Sequence, residues 1–323
     1  MLRLGIAGVG GLGQLHLKNY LQLGDVVRVE ALADPIEDRR TPGKLGMSQV
    51  NFDDGGAAVE VGSVRSYDDY SGLCRDKDID VITIATPSDL HAAAAIMALE
   101  NGKHVFTEKP MALTEADCRR MLDAAAAAGK KLMVGQVLRF WPTYVEAARL
   151  IKSGTYGKPL SAVFRRYGGN PGRWFAQVER SGGVPLDLHI HDADTALAWF
   201  GRPDDVTATV RGDLNPIHVI VSHWRYDNGP ACIFEARWDV GTPFNFECCV
   251  TMEKATLRFG AYIEGGIQLM QAGKVETVPV DTGWGFLPED RYFLECIRDN
   301  KPVDRCPPEE SMLAVKYAMA GQW

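Results

Sequence analysis

The rhythm of hydrophobic and polar positions changes once along this chain. Up to about residue 140, short apolar runs alternate with segments of helical spacing. "LRLGIA" (2–7) predicts a buried strand, followed by "GVGGLG" and the helical "QLHLKNYLQLG". "VRVEALADP" predicts a second strand ending at Asp34, and "IDVITIATP" (79–87) another, β-branched and nearly continuous in apolar character. Strands buried on both faces of a parallel sheet have that composition. "DLHAAAAIMALENG" predicts a helix, "KHVFTEKP" a strand stopped by Pro110, and "TEADCRRMLDAAAAAGK" a helix capped by Thr114 and closed at Gly129. "KLMVGQVL" is a further strand. Alternating strands and helices imply βαβ units and a parallel sheet. Residues 41–63 carry mixed signals and are expected to be loop with a short helix.

Beyond residue 140 the rhythm becomes β-like. After a helix at "WPTYVEAARLIKSG" come "DDVTATVRG", "IHVIVSHWRY", "ACIFEARWDV", "FNFECCVTM", "KATLRFG" and "VETVPV". These predict a mostly antiparallel sheet with one face solvated or covered by another subunit. Two helices are expected to close the chain, near 288–299 and 308–320. The expected class is α/β: a parallel-sheet domain over 1–139, then an α+β domain over 140–323 on a large, mostly antiparallel open sheet.

With 323 residues the chain exceeds one ordinary core, which agrees with two domains. The net charge is −7, and no Lys/Arg-rich block offers a footprint for phosphate backbones, so nucleic acid is not an expected partner. No run approaches the ~18 apolar residues of a membrane span, and the N-terminus lacks the long apolar region of a signal peptide. A cytoplasmic protein is expected. The seven cysteines are scattered without a C-x-x-C pair, which fits reduced thiols.

Gly8, Gly10 and Gly13 stand in G-x-G-x-x-G spacing between a strand and a helix, with Gly11 and Leu12 inside the turn. Such glycines let a pyrophosphate approach the amides of a helix N-terminus. Asp34 lies 21 residues beyond Gly13, at a strand end where a carboxylate can accept bonds from ribose hydroxyls. The alternative is a plain glycine turn and an unrelated aspartate. The negative charge favours NAD, while Arg39 and Arg40 leave NADP open. Thr86, Pro87, Ser88 and His91 follow another strand end and are candidate cofactor contacts, His91 equally a local packing residue. Glu108 and Lys109 end the strand before Pro110.

"SGGVPLDLHIHDAD" (181–194) concentrates two histidines and three aspartates. On an α-helix Asp187, His191 and Asp194 share one face, while His189 lies about 200° from Asp187. The H-x-H pair therefore cannot aim both rings at one point, and no metal site is expected. A polar helix start is the bland alternative. Arg139, Arg173, Trp174 and His189 are further substrate-contact candidates, with "RYGGNPGRWF" (166–175) expected as a loop near the site.

Taken in order, "GVGGLG", "ATPSDLH", "GKHVFTEKP" and "GGVPLDLHIHD" resemble the Gfo/Idh/MocA oxidoreductases, which include inositol dehydrogenases and glucose–fructose oxidoreductase. The resemblance implies an N-terminal Rossmann domain, a C-terminal open-sheet domain and an active site between them. It maps a catalytic lysine onto Lys109, and an aspartate and histidine onto Asp187 and His191. It implies hydride transfer between nicotinamide and a sugar or polyol carbon, and a homodimer or homotetramer formed through the C-terminal sheet. Chemically, histidine suits the base for a hydroxyl proton, a lysine ammonium stabilises the oxyanion, and a carboxylate orients the imidazole. Two other functions use the same scaffold: an NAD-dependent glycosidase, and a non-catalytic dinucleotide sensor that needs none of these three residues.

Overall fold

In a computed structural model, residues 1–41, 63–169, 172–212, 218–239 and 241–320 are described. The loop with a short helix expected over 41–63 lies almost wholly outside them. The chain forms two compact units, Met1–Gly135 with Phe286–Met312, and Gln136–Gly285 with Leu313–Trp323. The change of rhythm near residue 140 thus marks only the first passage between units. The chain returns to the first unit at Phe286, where the sequence analysis draws no boundary.

The first unit is built on a six-stranded parallel sheet. Its strands are β1 (Leu2–Ala7), β2 (Val27–Ala33), β3 (Arg65–Tyr67), β4 (Val81–Ile84), β5 (His104–Glu108) and β6 (Leu132–Gly135), ordered β3-β2-β1-β4-β5-β6. The order reverses between β1 and β4, the switch point beside which ligands bind in doubly wound sheets. Every residue of β4 and β6 is buried, as the continuous apolar runs require. β3 escapes the sequence pattern because it is three polar-leaning residues at the sheet edge.

The helices of this unit are α1 (Gly11–Gln22), the short α2 (Glu37–Arg40), α3 (Tyr70–Arg75), α4 (His91–Glu100) and α5 (Glu115–Ala128). Thr114 caps α5 by accepting from the Asp117 amide, and Gly129 ends it at φ 62°. α3, α4 and α5 pack in one row.

The second unit opens with α6 (Pro142–Lys152), whose proline occupies the first turn, where its missing N–H costs nothing. β7 (Pro159–Gly169) follows, then α7 (Val178–Ser181) and α8 (Ile190–Phe200). The remaining strands are β8 (Asp205–Arg211), β9 (His218–Arg225), β10 (Ala231–Asp239), β11 (Asn245–Met252), β12 (Thr256–Gly260), β13 (Ile267–Gln271) and β14 (Lys274–Val278). They form an eight-stranded sheet ordered β14-β13-β12-β11-β7-β10-β9-β8, antiparallel except for the β7–β10 pair. One face is apolar: Phe164, Phe234, Trp224, Trp238, Val250 and Phe259 are all buried. α9 (Phe286–Arg298) then packs beside α1 within the first unit, and α10 (Pro308–Ala318) closes the chain.

β7 corrects an expectation. Arg166–Gly169, read as the start of a loop, completes an eleven-residue strand at the middle of the sheet. Its inward positions include Ala162, Phe164 and Arg166, and the arginine breaks the apolar alternation that signals a strand. Arg166 is tolerated there because Asp192 pairs with it through two hydrogen bonds at 2.8 and 3.1 Å, and Tyr144 accepts a third at 3.1 Å.

Candidate active site

In the first unit, the turn between β1 and α1 is closed by contacts only glycine permits. Gly8 has φ +86°, and a Cβ there would lie 2.6 Å from the Ala85 carbonyl group. A Cβ on Gly13 would sit 1.9 Å from the Gly8 oxygen. Gly10 differs: its Cβ would meet nothing within 4 Å. The turn is therefore packed behind and open in front, the shape that admits a pyrophosphate to the α1 amides. Gly11 and Leu12 form the half-exposed first turn of α1.

Asp34 stitches this turn from behind. One carboxylate oxygen accepts the Val9 N–H at 2.9 Å and the other the Ile36 N–H at 2.9 Å. Each retains a lone pair for a ribose hydroxyl. Arg39 approaches to 3.9 Å. At the end of β4 the Thr86 hydroxyl is buried with no protein partner, a group a ligand can satisfy. Pro87 is half-buried and Ser88 buried beside it. These features fit a dinucleotide.

His91 turns inward instead. Its ring nitrogens lie 2.8 Å from the Pro110 oxygen and 2.9 Å from the Thr86 oxygen, and burial lowers its pKa from the ordinary value. It ties two strand-end loops together rather than reaching outward. Glu108 is likewise committed: one oxygen meets His16 Nε2 at 2.8 Å and the other accepts the Lys109 N–H at 3.1 Å. The following Lys109–Pro110 peptide is cis. Along Val105–Ala112 every residue is buried except Lys109.

In the second unit, the polar stretch is not a uniform α-helix. Pro185–His189 is a π-helical turn that runs into α8. Such turns recur at functional sites. From Ser181 to Leu197 every residue is buried except Asp187 and His191. Asp194, expected on the same face, is a buried anchor. Arg139 donates to it from Nε and Nη2 at 2.8 and 2.7 Å. Arg139, a candidate substrate contact, is thus engaged as the partner of a helix carboxylate. Asp192 is held by Arg166, and the Val184 N–H donates to His218 at 3.2 Å.

His189 is wholly buried, edge-on to Phe234 at 5.0 Å, with neither ring nitrogen hydrogen-bonded in the protein. Burial, aided by the charge of Arg166, pushes its imidazole down to about 3. It packs locally and does not act as an outward contact. Arg173 is exposed at φ 54°, and Trp174 stacks on Phe175 at 3.9 Å. Among the described residues no three His, Cys, Asp or Glu side chains converge to hold a metal, and no helix is long and apolar enough to cross a membrane.

One group escapes the sequence reading. His16 is a lone histidine on α1, with partners 92 and 274 residues away, so no local pattern marks it. Gln136, just after β6, is buried with neither amide atom hydrogen-bonded in the protein.

Both units have counterparts among known proteins. Residues 2–136 match the model of the oxidoreductase family with an NAD-binding Rossmann fold, and residues 144–258 the model of the GFO/IDH/MocA C-terminal domain. The chain belongs to the GFO/IDH/MocA family. It is 34% identical to inositol 2-dehydrogenase of Salmonella typhimurium over 303 residues, 91% of this chain and 83% of that protein. It is 32% identical to scyllo-inositol 2-dehydrogenase (NAD(+)) of Bacillus subtilis over 314 residues, 93% and 87% of the two chains. Among solved structures, the biliverdin reductase of Synechocystis with biliverdin and NADP+ superposes with a TM-score of 0.81 at 23% identity, covering 98% of this chain and 96% of that one. A levoglucosan dehydrogenase with NADH and levoglucosan gives 0.82 at 21% identity, covering 98% and 95%. These two likenesses establish the GFO/IDH/MocA fold, a Rossmann unit with a second, mostly antiparallel sheet.

Proposed function

We propose that this GFO/IDH/MocA protein is an NAD(P)-dependent dehydrogenase that interconverts a secondary alcohol and a ketone on a sugar, inositol or related polyol. One observation carries the reading. In two otherwise buried runs, the side chains left partly open are Lys109, and then Asp187 and His191. Leaving ionisable groups open in runs that bury everything else is what chemistry, rather than packing, requires. The inositol dehydrogenase relatives support the substrate class.

In this reading His191 takes the hydroxyl proton, Asp187 orients its ring and favours the imidazolium, and the Lys109 ammonium stabilises the developing oxyanion. The glycine turn over Gly8, Gly10 and Gly13, with Gly11 and Leu12, holds the pyrophosphate. Asp34 takes the adenosine ribose, and Thr86, Pro87 and Ser88 flank the cofactor. The bound nicotinamide supplies the hydride chemistry. NAD is favoured because the Asp34 carboxylate repels a 2′-phosphate. We also propose a cytoplasmic homodimer or homotetramer formed through the C-terminal sheet. Exposed Ile233 and Val221 on its other face support this.

The test is a panel of inositols, aldoses and lactones with NAD and with NADP, followed at the nicotinamide absorbance, beside release of aryl alcohol from aryl glycosides. Reduced cofactor formed from a free polyol supports the dehydrogenase. Glycoside cleavage without net reduction supports the glycosidase. Cofactor binding with no reaction supports a sensor.

A further inference from the structure

The first unit spends an unusual amount of buried polar chemistry on the backbone around Lys109. On the near side, Glu108 accepts the Lys109 N–H and is itself met by His16 at 2.8 Å. The other nitrogen of His16 lies 2.8 and 3.1 Å from the two oxygens of Asp290 on α9. Asp290 also accepts from Asn19 at 2.8 Å and Tyr20 at 3.0 Å, and the Tyr20 hydroxyl bonds Thr83 on β4 at 2.7 Å. On the far side, His91 bridges the Pro110 and Thr86 oxygens. Gly135 on β6 closes the pocket sterically, since a Cβ there would lie 3.2 Å from a Glu108 oxygen.

We propose that His16 and His91 are positioning residues for Lys109, clamping the backbone on both sides of it so that its amine is held at the reacting centre. The proposal rests on the catalytic reading of Lys109. Burial opposes a charge on His16, but Asp290 and Glu108 outweigh it and hold the imidazole protonated well above its usual range. In that form both ring nitrogens donate, one to each carboxylate. A buried cation between two carboxylates is a poor way to gain stability, because apolar side chains of similar volume serve as well or better. It does fix geometry: a rotated Glu108 would lose His16 and release the Lys109 amide. A group displaced by about 1 Å from its reacting position costs on the order of 100-fold in rate.

The test compares full-length His16→Leu, His16→Gln, His91→Leu and Lys109→Ala. Readouts are NADH binding by fluorescence, kcat and KM on the most active polyol of the panel, and labelling of Lys109 relative to surface lysines by acetic anhydride and mass spectrometry. The Leu variants are expected to lose roughly 30- to 100-fold in kcat, with KM and NADH affinity within about threefold and the relative labelling of Lys109 changed. His16→Gln keeps one donor and is expected to recover part of the loss; it also serves if the Leu variant fails to fold. Unchanged kcat with unchanged labelling in His16→Gln and His91→Leu would overturn the clamp. A fully active Lys109→Ala would instead remove the catalytic reading, while the labelling still reports whether the two histidines hold that amine.

Discussion

Acidification should expose the cost of burying His189. Its ring is enclosed by aromatic side chains with no hydrogen-bond partner, and its pKa falls from 6.5 to about 3. A depressed histidine favours the folded state above its unfolded pKa, and that contribution is lost as the pH falls from about 6.5 toward 3. Between about pH 7.5 and pH 5 the unfolded chain gains a proton that the folded chain refuses, which costs about 2 kcal/mol. His189→Leu removes this term and two unpaired nitrogens at nearly constant volume. It should gain about 1 kcal/mol at neutral pH and about 2 kcal/mol more, relative to the parent, near pH 5. Other histidines titrate in both proteins and cancel. The assay is urea unfolding followed by tryptophan fluorescence. The tryptophans among the described residues (141, 174, 199, 224, 238 and 284) all belong to the second unit, so their signal reports the part that contains His189. If the two proteins lose stability in parallel between these pH values, the ring is not the neutral, unpartnered group described.

The glycine turn separates folding from binding. Gly10→Ala places its methyl in open space, so the melting temperature should hold while NADH affinity drops at least about tenfold; Gly13→Ala meets the Gly8 oxygen and should lower the melting temperature itself. Lys109→Ala should reduce turnover by about 100-fold or more with NADH affinity intact, read by steady-state kinetics and fluorescence titration. Asp194→Ala strips the carboxylate from buried Arg139 and should cost the second unit about 3 kcal/mol in urea unfolding.

The parallel sheet was legible because strands buried on both faces, such as β4, become short unbroken apolar runs. Polar exceptions hid the rest. β3 is too short and too polar, and β7 carries Arg166 where an apolar residue belongs. The spacing of Asp187 and His191 was readable, since positions four apart stay nearly aligned on either a 3.6-residue or a wider turn. The π-turn itself was not, because no residue type specifies it. Asp194 and Arg139 looked functional for the same reason that they are structural: a charged pair on an apolar face is costly whichever purpose it serves. His16 was invisible because its meaning comes from Glu108 and Asp290, neither of them near it in sequence.

The return of the chain to the first unit at Phe286 has a consequence for synthesis. Domains usually fold in order as they leave the ribosome. Here the opening 135 residues emerge without α9, and therefore without Asp290. Until residues 136–285 have been translated and α9 follows them, His16 has one of its two carboxylates and the flank of α1 taken by α9 stays bare. The nascent N-terminal segment must wait, half-finished, for a helix encoded beyond residue 285. A gene fragment cut at the apparent boundary near residue 140 would yield that waiting intermediate rather than a stand-alone nucleotide-binding module.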